Sequence, residues 1–256
     1  MFKHKKIQIV FSLIAAGGLW MLLIVMGMIL PEGSTLHRLI ELLGGSSRGL
    51  IQALSYALFF YAMFELSEKR KYIRKQQKGF DYGLLPLQDQ LVLSPEEVAQ
   101  IKLNAIRLEK GGQQSLVSDF VKKACTQYRN DESVGETLQV FNAQVDNSKE
   151  ELEGELEIVR YLIGAVVSLG FIGTLIGLSS SIGMAHLAKT EEGMPLITSA
   201  LNVAFDTTLV ALLLSLVLNF LFHRYLKELD TFFSRSKTYG INNLISRIYK
   251  PEKVRV

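Results

Sequence analysis

Residues 161–185 read YLIGAVVSLGFIGTLIGLSSSIGMA, and residues 195–222 read PLITSALNVAFDTTLVALLLSLVLNFLF. The first window holds no charged residue and the second only Asp206. A helix rises about 1.5 Å per residue and needs roughly 20 apolar residues to cross some 30 Å of hydrocarbon, so both windows are long enough to span a bilayer. Only nine residues, 186–194, connect them, which makes the pair an antiparallel hairpin. Two more uncharged windows lie upstream, at 7–30 and 49–64. The former spans outright, and its 24 residues exceed the usual core of about 7–15 residues in a secretory signal, so it reads as an uncleaved anchor. The latter is short; it reaches full length by starting near Leu42 and passing Arg48, whose long stem snorkels toward the interface. The pattern predicts an all-α membrane protein with four transmembrane helices.

Composition agrees. The 256 residues are 48% hydrophobic and 21% charged, with a mean hydropathy of +0.22. A net charge of +3 gives no footprint for nucleic acid. One cysteine, Cys125, excludes an internal disulfide framework and a multi-cysteine zinc site. His4, His37, His186 and His223 have no metal-ligand spacing, and no G-x-x-x-x-G-K-[ST] phosphate loop occurs, so the chain reads as a non-enzyme without a cofactor. Lys and Arg set the orientation. Lys69, Arg70, Lys71, Arg74, Lys75 and Lys78 follow the second span, and eight Lys/Arg follow the fourth. The connection 31–48 holds two, and 186–194 only Lys189. Both termini and the long middle segment are therefore expected on the cytoplasmic side of a bacterial inner membrane.

Four regions result: two transmembrane helices in 1–64, a helical cytoplasmic region in 65–160, the transmembrane hairpin in 161–222 and a cytoplasmic tail in 223–256. In the middle region Ser94-Pro95-Glu96-Glu97 reads as a capped helix start, with Gly111-Gly112 as its stop. A second helix is expected over 115–128 and a third from Ser133 or Glu136. Leu138, Phe141, Val145, Leu152, Leu156 and Val159 keep helical spacing up to the membrane, so the third span is expected to continue into the cytoplasm as one rod. Its apolar stripe packs either within the chain or against another subunit.

The chemistry concentrates in the hairpin. If Ala185 and Ile197 lie level, positions whose numbers add to about 382 share one depth along the two helices. Thr174 then faces Thr208, Ser168 about Ser215, and Ser180 Asn202. Gly170, Gly173, Thr174, Gly177 and Ser181 occupy one sector of the third span, where small residues let backbones approach closely. On the fourth span Ala204, Thr208, Ala211 and Ser215 form a small, hydroxyl-bearing stripe, and Ser199, Asn202 and Asp206 point another way. A mid-membrane Asp costs about 2.5–3.5 kcal/mol by insertion scales, so Asp206 is a functional candidate. It either locks helices together or serves an ion path. Thr174, Thr207, Thr208, Ser168 and Ser215 complete the candidate ion path; Gly170, Gly173, Gly177, Ala204 and Ala211 are assigned to helix packing.

The stretch from Ser168 to Gly177 resembles the L-G-L-x-G-T-x-x-G-I segment of the MotA/TolQ/ExbB proton-channel superfamily, preceded by an acidic helical approach from Glu150 to Ile158. The stretch from Ala204 to Ala211 is similar to the family's second, Thr-containing motif. Together these cover about 75 residues. The resemblance implies an ion-conducting subunit, for H+ or Na+, of an ion-motive-force-driven motor or energy transducer. It implies a homo-oligomer, a pentamer in that family, around a single-span MotB/TolR/ExbD-like partner that carries the ion-binding Asp. Thr174 matches the third-span threonine. Thr208 matches the fourth-span one in a MotA-like alignment, whereas an ExbB-like alignment places Ala204 there and Ser199 at the family's glutamate. Val167 stands where a proline is common, and Asp206 is outside the family pattern. Four spans with both termini inside resemble the flagellar-stator branch, while the Gly173-Thr174-Leu175-Ile176-Gly177 run is more similar to ExbB and TolQ. A non-conducting oligomeric membrane scaffold is the alternative.

Overall fold

The structure, a computed structural model, describes residues 2–31, 33–45, 49–86 and 92–248. They form α1 (Phe2–Ile29), α2 (Thr35–Leu42), α3 (Leu50–Gln77), α4 (Pro95–Lys110), α5 (Leu116–Asp131), α6 (Val134–Gly154), α7 (Glu157–Gly183) and α8 (Gly193–Asn243), with short 3-10 turns between some of them. No strand forms among the described residues; a single parallel bridge links Leu93 and Ile248. Four helical stretches are long and apolar enough to cross a membrane, and the chain is a multi-pass membrane protein. It divides into two compact units, residues 1–68 with 156–223, and residues 69–155 with 224–256.

In the first unit α1 leads to α2, an eight-residue helix capped by the Ser34 hydroxyl, which accepts from the His37 N–H. Gly44, at φ +94°, ends it in the left-handed region that glycine enters without strain. The chain then lies against its neighbours: a Cβ on Gly45 would stand 2.8 Å from the Leu23 and Ile40 carbonyl oxygens. Trp20 Nε1 donates to the Gly44 carbonyl at 2.9 Å, and the Tyr56 hydroxyl donates to the Leu43 carbonyl at 2.8 Å. Trp20 lies nine residues before the end of α1, roughly 13 Å of helix rise, so α2 folds back along α1 rather than leaving the apolar layer. Ile40 joins Ala16, Leu23, Tyr56 and Val210 in one buried cluster.

This corrects the expected second span. It does not begin near Leu42, because the glycines at 44 and 45 reverse the chain there; α3 starts at Leu50 and gains its length at the other end, remaining helical to Gln77. Arg48, expected to snorkel, lies outside the described residues. The expected continuous third rod is also interrupted. After Gly154 the regular ladder lapses at Glu155 and Leu156, and the Val159 N–H bonds back only three residues, to the Leu156 carbonyl. Glycine is among the weakest helix formers, and Leu156 is 1% exposed, so burial of the leucine is met by one tightened turn.

The second unit begins from clear local signals. Ser94 accepts from the Glu97 N–H while the Glu97 carboxylate accepts from the Ser94 N–H, a complete capping box with Pro95 in the first turn. Gly111 caps the other end, followed by Gly112 at φ +81°. Ser115 and Ser133 cap α5 and α6. The core is aromatic: Phe120 meets Phe141 and Phe233 at ring separations of 6.5 and 6.3 Å, and Phe80 meets Phe232 and Tyr239 at 5.8 and 5.5 Å. α8 stays helical as far as Asn243 because Tyr225, Leu229, Phe232, Phe233, Ser236 and Gly240 recur at three- and four-residue spacing and are all buried. Gly240 leaves room for the Phe141 ring, which any Cβ there would strike.

Candidate functional site

α7 and α8 of the first unit pack through their small residues. A Cβ added to Gly177 would lie 2.6 Å from Ala204 Cβ, and one on Gly170 would lie 2.5 Å from Ala211 Cβ. Gly173 is pressed against the Thr207 side chain. The packing glycines of α7 thus meet the small residues of α8 in the expected register. Such closeness is how helices associate where lipid tails compete equally for apolar side chains.

Within this seam the Thr174 and Thr208 hydroxyls touch. Thr174 Oγ1 donates across to the Ala204 carbonyl at 3.1 Å, and Thr208 Oγ1 donates across to the Gly170 carbonyl at 2.9 Å. Each hydroxyl also reaches a carbonyl of its own helix, at 3.3 and 3.4 Å, so several acceptors share two protons. Two hydroxyl and two carbonyl oxygens therefore converge at one level of an otherwise apolar helix pair. Both threonines are half-buried. Thr207 is 1% exposed and donates within its own helix to the Ala204 carbonyl. Ser168 and Ser215 do not join them: exposed Ser168 donates to the Gly164 carbonyl, and buried Ser215 accepts from the Asn219 amide.

Asp206 is 6% exposed and forms a two-pronged pair with Arg38 of α2. Nη1 to Oδ2 and Nη2 to Oδ1 are both 2.8 Å. Parallel N–H to oxygen bonds of this kind are the strongest charge-assisted geometry available to a carboxylate. The acid in the fourth span is thus compensated by a base on the folded-back helix. Arg38 Nη1 also stands 3.8 Å from Glu41 Oε2, and His37 Nε2 stands 3.7 Å from Glu41 Oε1. A cleft of about 650 Å³ opens beside the pair, lined by Glu41, Gln52, Thr198, Ser199 and Asn202 among others. A second buried acid, Glu65 at 3% exposure, follows the apolar run of α3.

Sequence reasoning placed Asp206 but not its partner. Arg38 counts there only as one of two bases in a connection, yet His37, Arg38 and Glu41 share helical spacing between Ser34 and Gly44, which is the signature of a short amphipathic helix. Among the described residues no group of three His, Cys, Asp or Glu side chains is arranged to hold a metal ion.

No curated protein and no solved structure matches the chain. One family model does, over residues 112–235, a stretch that contains both threonines of the seam and Asp206 and leaves Arg38 outside. Through residues 112–235 the chain belongs to the MotA/TolQ/ExbB proton channel family.

Proposed function

We propose that the chain is the ion-conducting subunit of an ion-motive-force-driven motor or energy-transducing complex in a bacterial inner membrane. It works as a homo-oligomer, a pentamer by resemblance, around a single-span partner of the MotB, ExbD or TolR type that carries the ion-binding Asp. The translocated ion is H+ or Na+, and both termini face the cytoplasm. The observation that carries this reading is the layer of oxygens at Thr174 and Thr208, from two helices at one depth. Hydroxyls and carbonyls so placed replace part of an ion's hydration shell beside a partner's carboxylate. The test is ion flux in vesicles holding the chain with its partner. With Thr174→Val and Thr208→Val, flux should fall to that of partner-free vesicles while assembly is retained; unchanged flux sinks the assignment.

A second reading, a non-conducting oligomeric scaffold, draws on the same bonds. Both hydroxyls are tied across the helix pair, as a purely structural clasp requires. It predicts that vesicles with or without the partner conduct alike and that the two valine variants lose assembly rather than flux.

A further inference from the structure

The cleft beside Asp206 carries an imbalance of charge. Among the described residues its walls offer one guanidinium, Arg38, against two carboxylates, Asp206 and Glu41, with a single guanidinium nitrogen standing between the two acids. Among the described residues, α1, α3 and α8 beside it add no further base. From Ile7 onward α1 holds no acid or base, and the ionisable groups of α3 as far as Phe64 are the phenols of Tyr56 and Tyr61, the former donated to a backbone carbonyl. α8 contributes only Asp206 between Gly193 and Phe222.

An independent feature points the same way. Gln52 lines this cleft and is 3% exposed, yet its side-chain oxygen has no hydrogen-bond partner. A buried acceptor left without a donor costs free energy, so natural proteins rarely keep one without a use. Its stem packs closely on the chain at Gly44, where an added Cβ would come within 2.8 Å of Gln52 Cβ. A buried oxygen without a donor, on the wall of a cleft whose two carboxylates share one base, suits a cation or its hydration water.

We propose that this cleft is a vestibule that binds a small hydrated cation, sodium or hydronium, between Glu41, Asp206 and the Gln52 amide oxygen, and concentrates it beside the α7–α8 hairpin. Its purpose rests on the ion-conducting reading; its existence does not, and the test uses no conduction. Asn202, an exposed residue on the cleft wall, is replaced by cysteine in the full chain with its partner, in whole cells. The native thiol gives little background: Cys125 is 1% exposed, and burial pushes its pKa up to about 12. Membrane-impermeant methanethiosulfonates of opposite charge are then applied from outside. With each rate divided by that of the same reagent on a free thiol in solution, the trimethylammonium-to-sulfonate ratio should be roughly tenfold, the enrichment that a negatively charged cleft gives a cation. Glu41→Gln, a half-exposed position that leaves the Arg38–Asp206 pair whole, should bring the two rates together. Sodium replacing choline at fixed pH should lower that ratio if sodium is held, and acidification alone should lower it if hydronium is, the ratio cancelling the loss of thiolate common to both reagents. A normalised ratio of one in the parent, no labelling from outside, or a ratio indifferent to sodium and pH alike would each overturn the vestibule. Loss of flux in the threonine variants with labelling intact leaves it standing, and unchanged flux with the expected labelling separates it from the pore.

Discussion

The two units of this chain solve the same packing problem with opposite materials. In the first, α7 and α8 close over Gly170, Gly173 and Gly177, and the large side chains turn outward: Phe171 is 65% exposed, Ile182 74% and Leu216 68%. In the second, the rings of Phe80, Phe120, Phe141, Phe232 and Phe233 turn inward, and ion pairs such as Lys237–Asp146 and Lys149–Asp230 lie outside. The difference follows from the solvent each surface is built for. Removing a phenylalanine from water gains about 1.5–3 kcal/mol, but removing it from lipid gains almost nothing, so only closeness of backbones and polar bonds remain to hold membrane helices together.

The contrast is open to attack at its strongest point first. Phe120→Ala should cost about 3–5 kcal/mol, read as a fall in the unfolding midpoint of the detergent-solubilised protein, because the ring is 1% exposed and the hole cannot close. A small effect would mean that the second unit is not held by its aromatic core. In the first unit the sign should depend on where a methyl is added. Gly177→Ala should destabilise by about 1–3 kcal/mol, since the new Cβ meets Ala204. Gly164→Ala, with nothing within 4 Å of its Cβ, should instead gain about 0.5–1 kcal/mol from helix propensity alone. Equal responses at the two glycines would remove the case for a close-packed seam.

The smallest effect concerns charge on the second unit. Lys122 bonds to Asp119 and Glu109, and these hydrogen bonds raise its pKa above the ordinary lysine value. A base whose pKa is raised by folding stabilises the fold while it is protonated, so its contribution is complete below the ordinary value of 10.5 and is lost as pH climbs through the higher folded value. Lys122→Met should therefore cost about 0.5–1 kcal/mol at pH 7, and the parent and variant unfolding curves should converge in strong alkali.

Much of this was legible from local pattern. The capping box at Ser94 and the glycine stop at Gly111 mark α4 because they involve residues three or four apart. The pairing of Thr174 with Thr208 followed from assuming a short outer loop, since two straight helices joined at one end have a fixed register. What stayed hidden depends on distant partners. α2 is eight residues long, so its spacing of polar residues reads as a helix only once Ser34 and Gly44 are taken as its ends, and its direction is fixed by Trp20, Tyr56 and the glycines at 44 and 45 together. Nothing near Arg38 says that its counter-charge lies in the fourth span. The pause at Glu155 and Leu156 is similarly silent, because one weak helix former inside a strong apolar stripe predicts continuity as readily as a break.

The separation of Arg38 from Asp206 also has a temporal side. The two residues stand 168 positions apart. At about 5–20 residues per second, a ribosome needs on the order of 10–30 s to reach the aspartate after it has made the arginine. Throughout that interval the folded-back helix, though already held by Trp20 and Tyr56, has no carboxylate from α8 for Arg38 to meet. Biogenesis of the membrane unit is thus finished from its C-terminal side, and a chain truncated before α8 should be recognised by membrane quality control as incomplete at its N-terminal end.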